Sequence, residues 1–241
     1  MVTNNEIKQV RQLHQKKYRV QTGRFIVEGT KLNEELLQSE FTVEKIFATA
    51  DQTDFLADIS FEKVSPAQMK KMSAMNTPPG LLAVVAIPEK QLPHELKGWM
   101  LALDGVSDPG NLGTILRVAD WFGISGIVMS TTSVDIYNPK VVQASMGSIF
   151  RVPVYSTDLA KWIDSLPAEG RNVFVAEMNG VSFEKVAFPK QGILVMGSES
   201  HGVSAAVASL AEGRITIPGK GGAESLNVGV ATGIICSRLP K

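Results

Sequence analysis

The sequence predicts an α/β protein organised as two successive units. Short, continuous apolar runs such as "GLLAVVAI", "WMLALDG" and "ILVMGSE" alternate with segments of helical period, as buried strands and their covering helices do. A stretch without clear period, "PEKQLPHELKG" with Pro88 and Pro93, interrupts the alternation and reads as a linker. A chain of 241 residues can hold one large domain or two small ones. The expected division is residues 1–88, a linker over 89–98, and a second domain over 99–241.

The opening "NNEIKQVRQLHQKKYRV" sets Ile7, Val10, Leu13 and His14 at helical spacing. After a break at Thr22 and Gly23, "RFIVEG" reads as a strand and "TKLNEELLQS" as a helix. "VEKIFAT" follows as a strand, "SPAQMKKMS" as a helix opened by Ser65 and Pro66, and "GLLAVVAI" as a buried strand. From Trp99 the alternation is more regular. Strands are expected at "WMLALDG", "GIVMS", "VPVYS", "NVFVAE", "ILVMGSE" and "RITIP". Helices fit "NLGTILRVADWFG", "PKVVQASMG", "TDLAKWIDSL", "VSAAVASLA" and "LNVGVATGIICSRL". This order predicts a largely parallel sheet covered on both faces, whose ligands sit beyond the carboxyl ends of the strands.

Three loops occupy such positions. In "LDGVSDPGNLGTILRVADWFG", Pro109 and Gly110 turn the chain, Asn111 stands at the mouth of a helix, and Arg117 lies one turn beyond Gly113. Read alone, these are a capping asparagine and a surface arginine. In "ILVMGSESHGVSAAV" a buried strand ends at Gly197, followed by Ser198, Glu199 and His201. A carboxylate there suits a helix N-terminus, and a loop histidine ordinarily faces solvent. In "IPGKGGAESLNVGVATGIICSRL" a glycine-rich loop leads through Ser225, Leu226 and Asn227 into an apolar helix. Its Lys220 reads equally as a phosphate contact or as a solubilising charge. Gly229 and Gly233 suggest close helix packing, within the core or across a dimer, and Cys236 reads as a core thiol.

Composition narrows the function. The formal net charge is +0, so no global field draws the chain to nucleic acid or membrane; RNA contact needs a local patch. One cysteine forms no internal disulfide, which suits a reducing compartment. The N-terminus lacks the apolar core of a signal peptide, and no run approaches the roughly 20 apolar residues that span a bilayer. A cytoplasmic protein without membrane contact is expected. One Cys and three scattered His build no zinc site, so no metal is expected. The spacings of a nucleotide-triphosphate loop, a dinucleotide fingerprint and a serine-hydrolase elbow are absent.

Together, "DPGNLGTILRVADWFGISGIV", "VMGSESHGVS" and "IPGKGGAESLNVGVATGII" resemble the SpoU, or TrmH-type, RNA ribose methyltransferases of the SPOUT class. "YNPKVVQASMGSIFRVPV" is similar to the family's linking segment, so the resemblance spans about the last 140 residues. The first half, through "GRFIVEGTKLNEELL", "VEKIFAT" and "KKMSAMNTPPGLLAVV", is similar to the small substrate-binding domain of the family's longer members. That domain resembles a ribosomal RNA-binding protein fold. The resemblance implies methyl transfer from S-adenosyl-L-methionine to a ribose 2′-hydroxyl of RNA. It also implies a homodimer joined through the C-terminal domain and a trefoil knot there, a rare exception to unknotted topology. Ribosomal RNA is the expected substrate because of the first domain. Transfer RNA, or a non-catalytic RNA-binding assembly protein of the same fold, are the alternatives.

The resemblance further implies a site. Ala176, Glu177, Asn179, Met196, Gly197, Ile217 and Leu226 would hold the cofactor, glycine allowing close backbone approach. Arg117 would be the catalytic residue, with Asn111, Glu199, Ser225 and Asn227 completing its setting. Ser200 and Gly229 depart from the residues frequent in the family at those places. Lys8, Arg11, Lys16, Lys17, Arg19, Arg24 and Lys31 crowd the beginning of the chain. Alone they read as a solvated amphipathic face; with the resemblance, Lys17, Arg24 and Lys31 are expected to meet RNA phosphate. The helix face carrying Gly229 and Gly233 is the expected dimer seam.

Overall fold

The structure, a computed structural model, describes residues 2–52, 56 and 59–240. In chain order it begins with α1 (Asn4–Gln12), α2 (Lys16–Thr22), β1 (Arg24–Glu28), α3 (Thr30–Leu37), β2 (Val43–Ala48), β3 (Glu62–Lys63), α4 (Pro66–Met72) and β4 (Leu81–Ala86). There follow β5 (Trp99–Asp104), α5 (Pro109–Phe122), β6 (Gly126–Ser130), α6 (Pro139–Ala144), β7 (Val154–Thr157) and α7 (Leu159–Ser165). The chain closes with β8 (Val173–Ser182), β9 (Gly192–Gly197), α8 (Ala205–Ala208), β10 (Gly213–Thr216) and α9 (Val228–Cys236). Contacts divide it into two compact units, Met1–Glu89 with Asp135–Arg151, and Lys90–Val134 with Val152–Lys241.

The first unit is built on a mixed sheet in the order β1-β4-β2-β3. Strand β4 is antiparallel to β1 and β2, and the short β3, unforeseen in the sequence, runs parallel to β2. The amphipathic opening is two helices rather than one. The chain leaves the helical path at Gln15 (φ −102°, ψ 133°), which lets His14 Nε2 donate to the Met72 carbonyl at 2.7 Å. The same break turns Arg19 inward, where it is 2% exposed and donates to the Leu13 carbonyl at 2.7 Å. Helix α4 begins as the sequence indicates, with Ser65 and Gln68 forming a capping box and Pro66 in its first turn.

Asp135–Arg151 joins this unit by contact although it lies far along the sequence. Arg19 Nε donates to Asp135 Oδ2 at 2.8 Å, and a second guanidinium nitrogen pairs with the same oxygen. Gln143 Nε2 donates to the Glu28 carbonyl at 2.8 Å, and the Phe25 and Tyr137 rings lie 4.5 Å apart between centroids.

The second unit carries a six-stranded sheet, β10-β8-β9-β5-β6-β7, with every neighbouring pair parallel. Its central strands are apolar up to their carboxyl ends: no hydrophobic residue of β5 or β9 is more than 3% exposed, as expected of a sheet buried on both faces. Strand β8 runs past the "NVFVAE" of the sequence reading because, after a register shift, Val181 and Ser182 pair with Ile215 and Thr216. The helix expected over "VSAAVASLA" shrinks to α8. The preceding backbone is held elsewhere: Ser198 and Gly202 form a bridge, and the Ser204 N–H donates to Asp104 Oδ2 at 2.8 Å.

Helices α5 and α9 pack against each other, and this corrects the expected seam. A Cβ on Gly229 would stand 2.9 Å from Thr114 Cγ2, and one on Gly233 would stand 3.6 Å from Val118 Cγ2. The small-residue face is therefore filled within the chain. Trp121 of α5 and Val230 of α9 remain outward, at 84% and 49% exposure.

Candidate active site

A cavity of about 510 Å³ lies in the second unit, beyond the carboxyl ends of β9 and β10 and beside the middle of β8. Three stretches of chain enclose it: 176–178, the loop after β9, and the irregular passage from β10 to α9. Ala176, Glu177, Met196, Gly197, Ile217 and Leu226 all line it. Asn179 is not among the lining residues; it is exposed one residue beyond Met178, which takes that place. Met178, Ile215 and Ile235 line the cavity as well, beyond the residues expected to hold the cofactor. The exposure of Met178, 64%, is a tertiary property with no local signature, whereas Ile235 belongs to the apolar stripe of α9.

These surroundings fit S-adenosylmethionine. The volume is within the roughly 300–1,000 Å³ of small-molecule sites, and such sites combine apolar walls with a few polar groups. Backbone N–H groups over 219–226 make no hydrogen bond to other described residues, leaving donors for a ligand's polar edges. Glu177 lies on one wall and is joined to Arg214 Nη1 at 2.7 Å. Lys220 also lines the cavity, yet no cationic cradle surrounds it.

At the rim, three loops meet through side chains. Asp108 caps α5, its Oδ1 accepting from the Asn111 N–H at 2.8 Å. Capping therefore falls to Asp108, and the Asn111 amide is released for another task. Its Nδ2 donates to Glu199 Oε1 at 2.8 Å, and its Oδ1 accepts from Asn227 Nδ2 at 2.7 Å. Asn227 Nδ2 also lies 3.3 Å from Glu199 Oε1. The remaining Asn227 oxygen caps α9, accepting from the Gly229 and Val230 N–H groups. One asparagine thus fixes both the helix start and the polar cluster. Ser225 lines the cavity without a hydrogen bond to other described residues.

Arg117 is exposed on α5, six residues beyond Asn111, and forms no ion pair among the described residues. A guanidinium that is not neutralised by the fold is available to a substrate anion. His201 is exposed and its Nδ1 lies 2.7 Å from Ser200 Oγ. Cys236 is buried, and burial pushes its thiol up to about 12, which removes it as a nucleophile. Among the described residues no group of three His, Cys, Asp or Glu is placed to hold a metal ion. No helix among them is long and apolar enough to cross a membrane.

The basic residues of the first unit separate by structure. Lys17 and Lys31 are exposed, Arg24 is half-exposed and joined to Glu44 at 2.5 Å, and Arg19 is buried in its pair with Asp135. Arg19 is accordingly a structural residue, not part of a surface patch.

Residues 98–237 match the SpoU rRNA Methylase family, and residues 4–83 match the MRM3-like substrate binding domain. The chain is 34% identical over 240 residues to the Bacillus subtilis 23S rRNA (guanosine(2553)-2′-O)-methyltransferase RlmP, covering 98% of this chain and 96% of that protein. Among solved structures it is similar to a TrmH-family protein from Porphyromonas gingivalis, with TM-score 0.89, 39% identity and coverage of 98% and 97%. It is also similar to an AdoMet-bound rRNA methyltransferase from Sinorhizobium meliloti, with TM-score 0.87, 29% identity and coverage of 98% and 94%. Fold, cavity and sequence agree: this chain belongs to the SpoU rRNA methylase family.

Proposed function

We propose that the protein methylates a ribose 2′-hydroxyl in ribosomal RNA, using S-adenosylmethionine held in the cavity between β8, β9 and α9. The observation that carries this reading is the hydrogen-bonded cluster of Asn111, Glu199 and Asn227 at the rim of that cavity. Residues separated by 88 and 116 positions meet there, and family membership supports the reaction class. When bound, S-adenosylmethionine supplies a methyl group on a positively charged sulfur.

The chain's own task is alignment, since holding two reactants in line removes much of the barrier. Loop residues 217–226 and Gly197 would grip the cofactor through backbone groups, while Met178, Ile215 and Ile235 exclude water. Arg117 would hold the ribose and a neighbouring phosphate. A guanidinium offers only hydrogen-bond donors, so it does not accept the hydroxyl proton. It stabilises negative charge growing on the 2′-oxygen. Asn111, Glu199 and Asn227, cross-linked to one another, keep the two helix starts in register, and Ser225 completes the cavity wall. Lys17 and Lys31, exposed on the first unit, would contact RNA phosphate, whereas Arg24 is held by Glu44 and would border the RNA without drawing a phosphate.

A second copy of the chain is part of the proposal, packed on α5 and α9, where Trp121 and Val230 present apolar side chains at 84% and 49% exposure. Trp121→Glu is expected to convert a sedimenting dimer into a monomer; an unaltered chain that sediments as a monomer would remove the dimer. A trefoil threading of the C-terminal unit is proposed with it, supported by family membership and by the placing of β10 beside β8. The single cysteine, buried and unpaired, favours a cytoplasmic setting.

The test is methyl transfer itself. Purified protein with labelled cofactor should mark ribosomal RNA at a ribose, read as a 2′-O-methyl nucleotide after digestion. Arg117→Ala should lower kcat by about 100-fold or more, the scale of removing one charge-stabilising donor, with cofactor affinity unchanged. Normal turnover in that variant ends the assignment.

A further inference from the structure

We infer that a groove in the first unit, between α1 and the sheet, receives an unstacked nucleobase of the RNA substrate. The inference rests on the RNA reading above and adds a site to it. The groove has a volume of about 570 Å³. Its floor is apolar: Val10 and Leu13 of the first helical segment, Phe47 of β2 and Val84 of β4, none more than 7% exposed. Gln9, Gln12 and Gln21 are among the lining residues, and each side-chain amide has donors and an acceptor to offer. Tyr18 adds a half-buried aromatic ring.

Charge selects the occupant. Both cations at the groove are already matched by carboxylates: Arg24 with Glu44 at 2.5 Å, and Lys45 with Glu6 at 2.6 Å. A groove so balanced gives a bare phosphate no net attraction. A purely apolar peptide side chain would cover three amides without satisfying them, which costs free energy. A flat, neutral ring with donors and acceptors at its edge suits both floor and walls. Its phosphate has a partner outside: Lys17 is exposed and stands 5.8 Å from the centroid of the Tyr18 ring. Stacking on an aromatic ring beside a cation is how proteins hold single-stranded bases. A base paired within a duplex could not enter.

The same chemistry could come from a free nucleotide, so the experiment has two ligand arms. A fluorescent single-stranded RNA of about a dozen nucleotides and free AMP or CMP are titrated into the full-length protein. Tyr18→Leu should weaken RNA binding roughly thirtyfold, the middle of the range for one stacked base, while Tyr18→Phe stays within about twofold. Gln9→Ala combined with Gln21→Ala, both exposed positions that leave the core intact, should weaken it as well. A blunt RNA duplex should compete poorly. Unchanged RNA affinity in Tyr18→Leu and in the glutamine double variant overturns the groove while leaving methylation standing. Tight AMP or CMP binding with RNA affinity insensitive to these variants also overturns it, in favour of a free-nucleotide site. No RNA binding and no methylation by the unaltered chain defeats the function proposal and this one with it.

Discussion

The two cavities are alike in size, about 510 and 570 Å³, and opposite in construction. The C-terminal one is framed by loops, with backbone groups of 219–226 left for a ligand. The N-terminal one is framed by side-chain ends: amides, a tyrosine and two ion pairs. The sheets explain the contrast. Parallel strands buried on both faces have no free side to offer, so specific groups gather at the strand ends. In the first unit, α1 meets side chains of β1, β2 and β4 at the groove, so alternate side chains of the strands supply the groups there. A backbone-built site should be most vulnerable to an added atom, and a side-chain-built one to truncation.

Three tests break or sharpen this contrast. The largest effect is expected from Arg19→Ala in the first unit, which leaves Asp135 without its buried partner. Stranding such a charge costs about 3–5 kcal/mol, read as a fall in the urea midpoint. The exposed neighbour gives the scale: Arg24→Ala should cost less than about 1 kcal/mol. If the two variants unfold alike, burial does not govern this unit. Next comes Gly197→Ala in the second unit. The new Cβ would stand 2.2 Å from the Gly202 carbonyl carbon, an overpacking of about 1–3 kcal/mol, and cofactor affinity measured by calorimetry should fall about tenfold or more. Binding as tight as in the unaltered chain would show that the loop after β9 does not shape the cavity.

The smallest effect is the pH dependence of Glu6. Hydrogen bonding from Lys45, then from the Thr3 N–H, holds its carboxyl at about 2, below the ordinary 4.5. A depressed carboxylate contributes stability that is fully present above pH 4.5 and is lost as pH falls toward 2. Lys45 is raised above its ordinary 10.5, so its share is present at neutral pH and is lost only as pH climbs through that higher value. The melting temperature of Glu6→Gln should lie slightly below the unaltered chain at pH 7 and converge with it near pH 2. Parallel curves over that interval would assign the pair no role in folding.

Local chemistry made much of this legible. The apolar strands and capped helices were readable because their cause is short-range: burial period, Ser65 with Pro66, and the turn at Gly23. The boundary inside "NNEIKQVRQLHQKKYRV" was not, because no residue there forbids a helix. It breaks because His14 and Arg19 find partners at Met72 and Asp135. Asn111 shows the same limit within the site. Its place at a helix start suggests a cap, and only the meeting with Glu199 and Asn227 gives its amide another use.

The sequence by itself determined the α/β class, the two-part order of elements, the loops that would carry polar groups, and, through its motifs, the family. Tertiary structure alone decided that Asp135–Arg151 packs with the first unit and that the Gly229 and Gly233 face is filled by α5. It also decided which cations stay free and which are matched. The physical reason is separation: propensity and period act over a few residues, whereas charge pairing and packing depend on neighbours brought together across more than a hundred, as Arg19 and Asp135 are at 116.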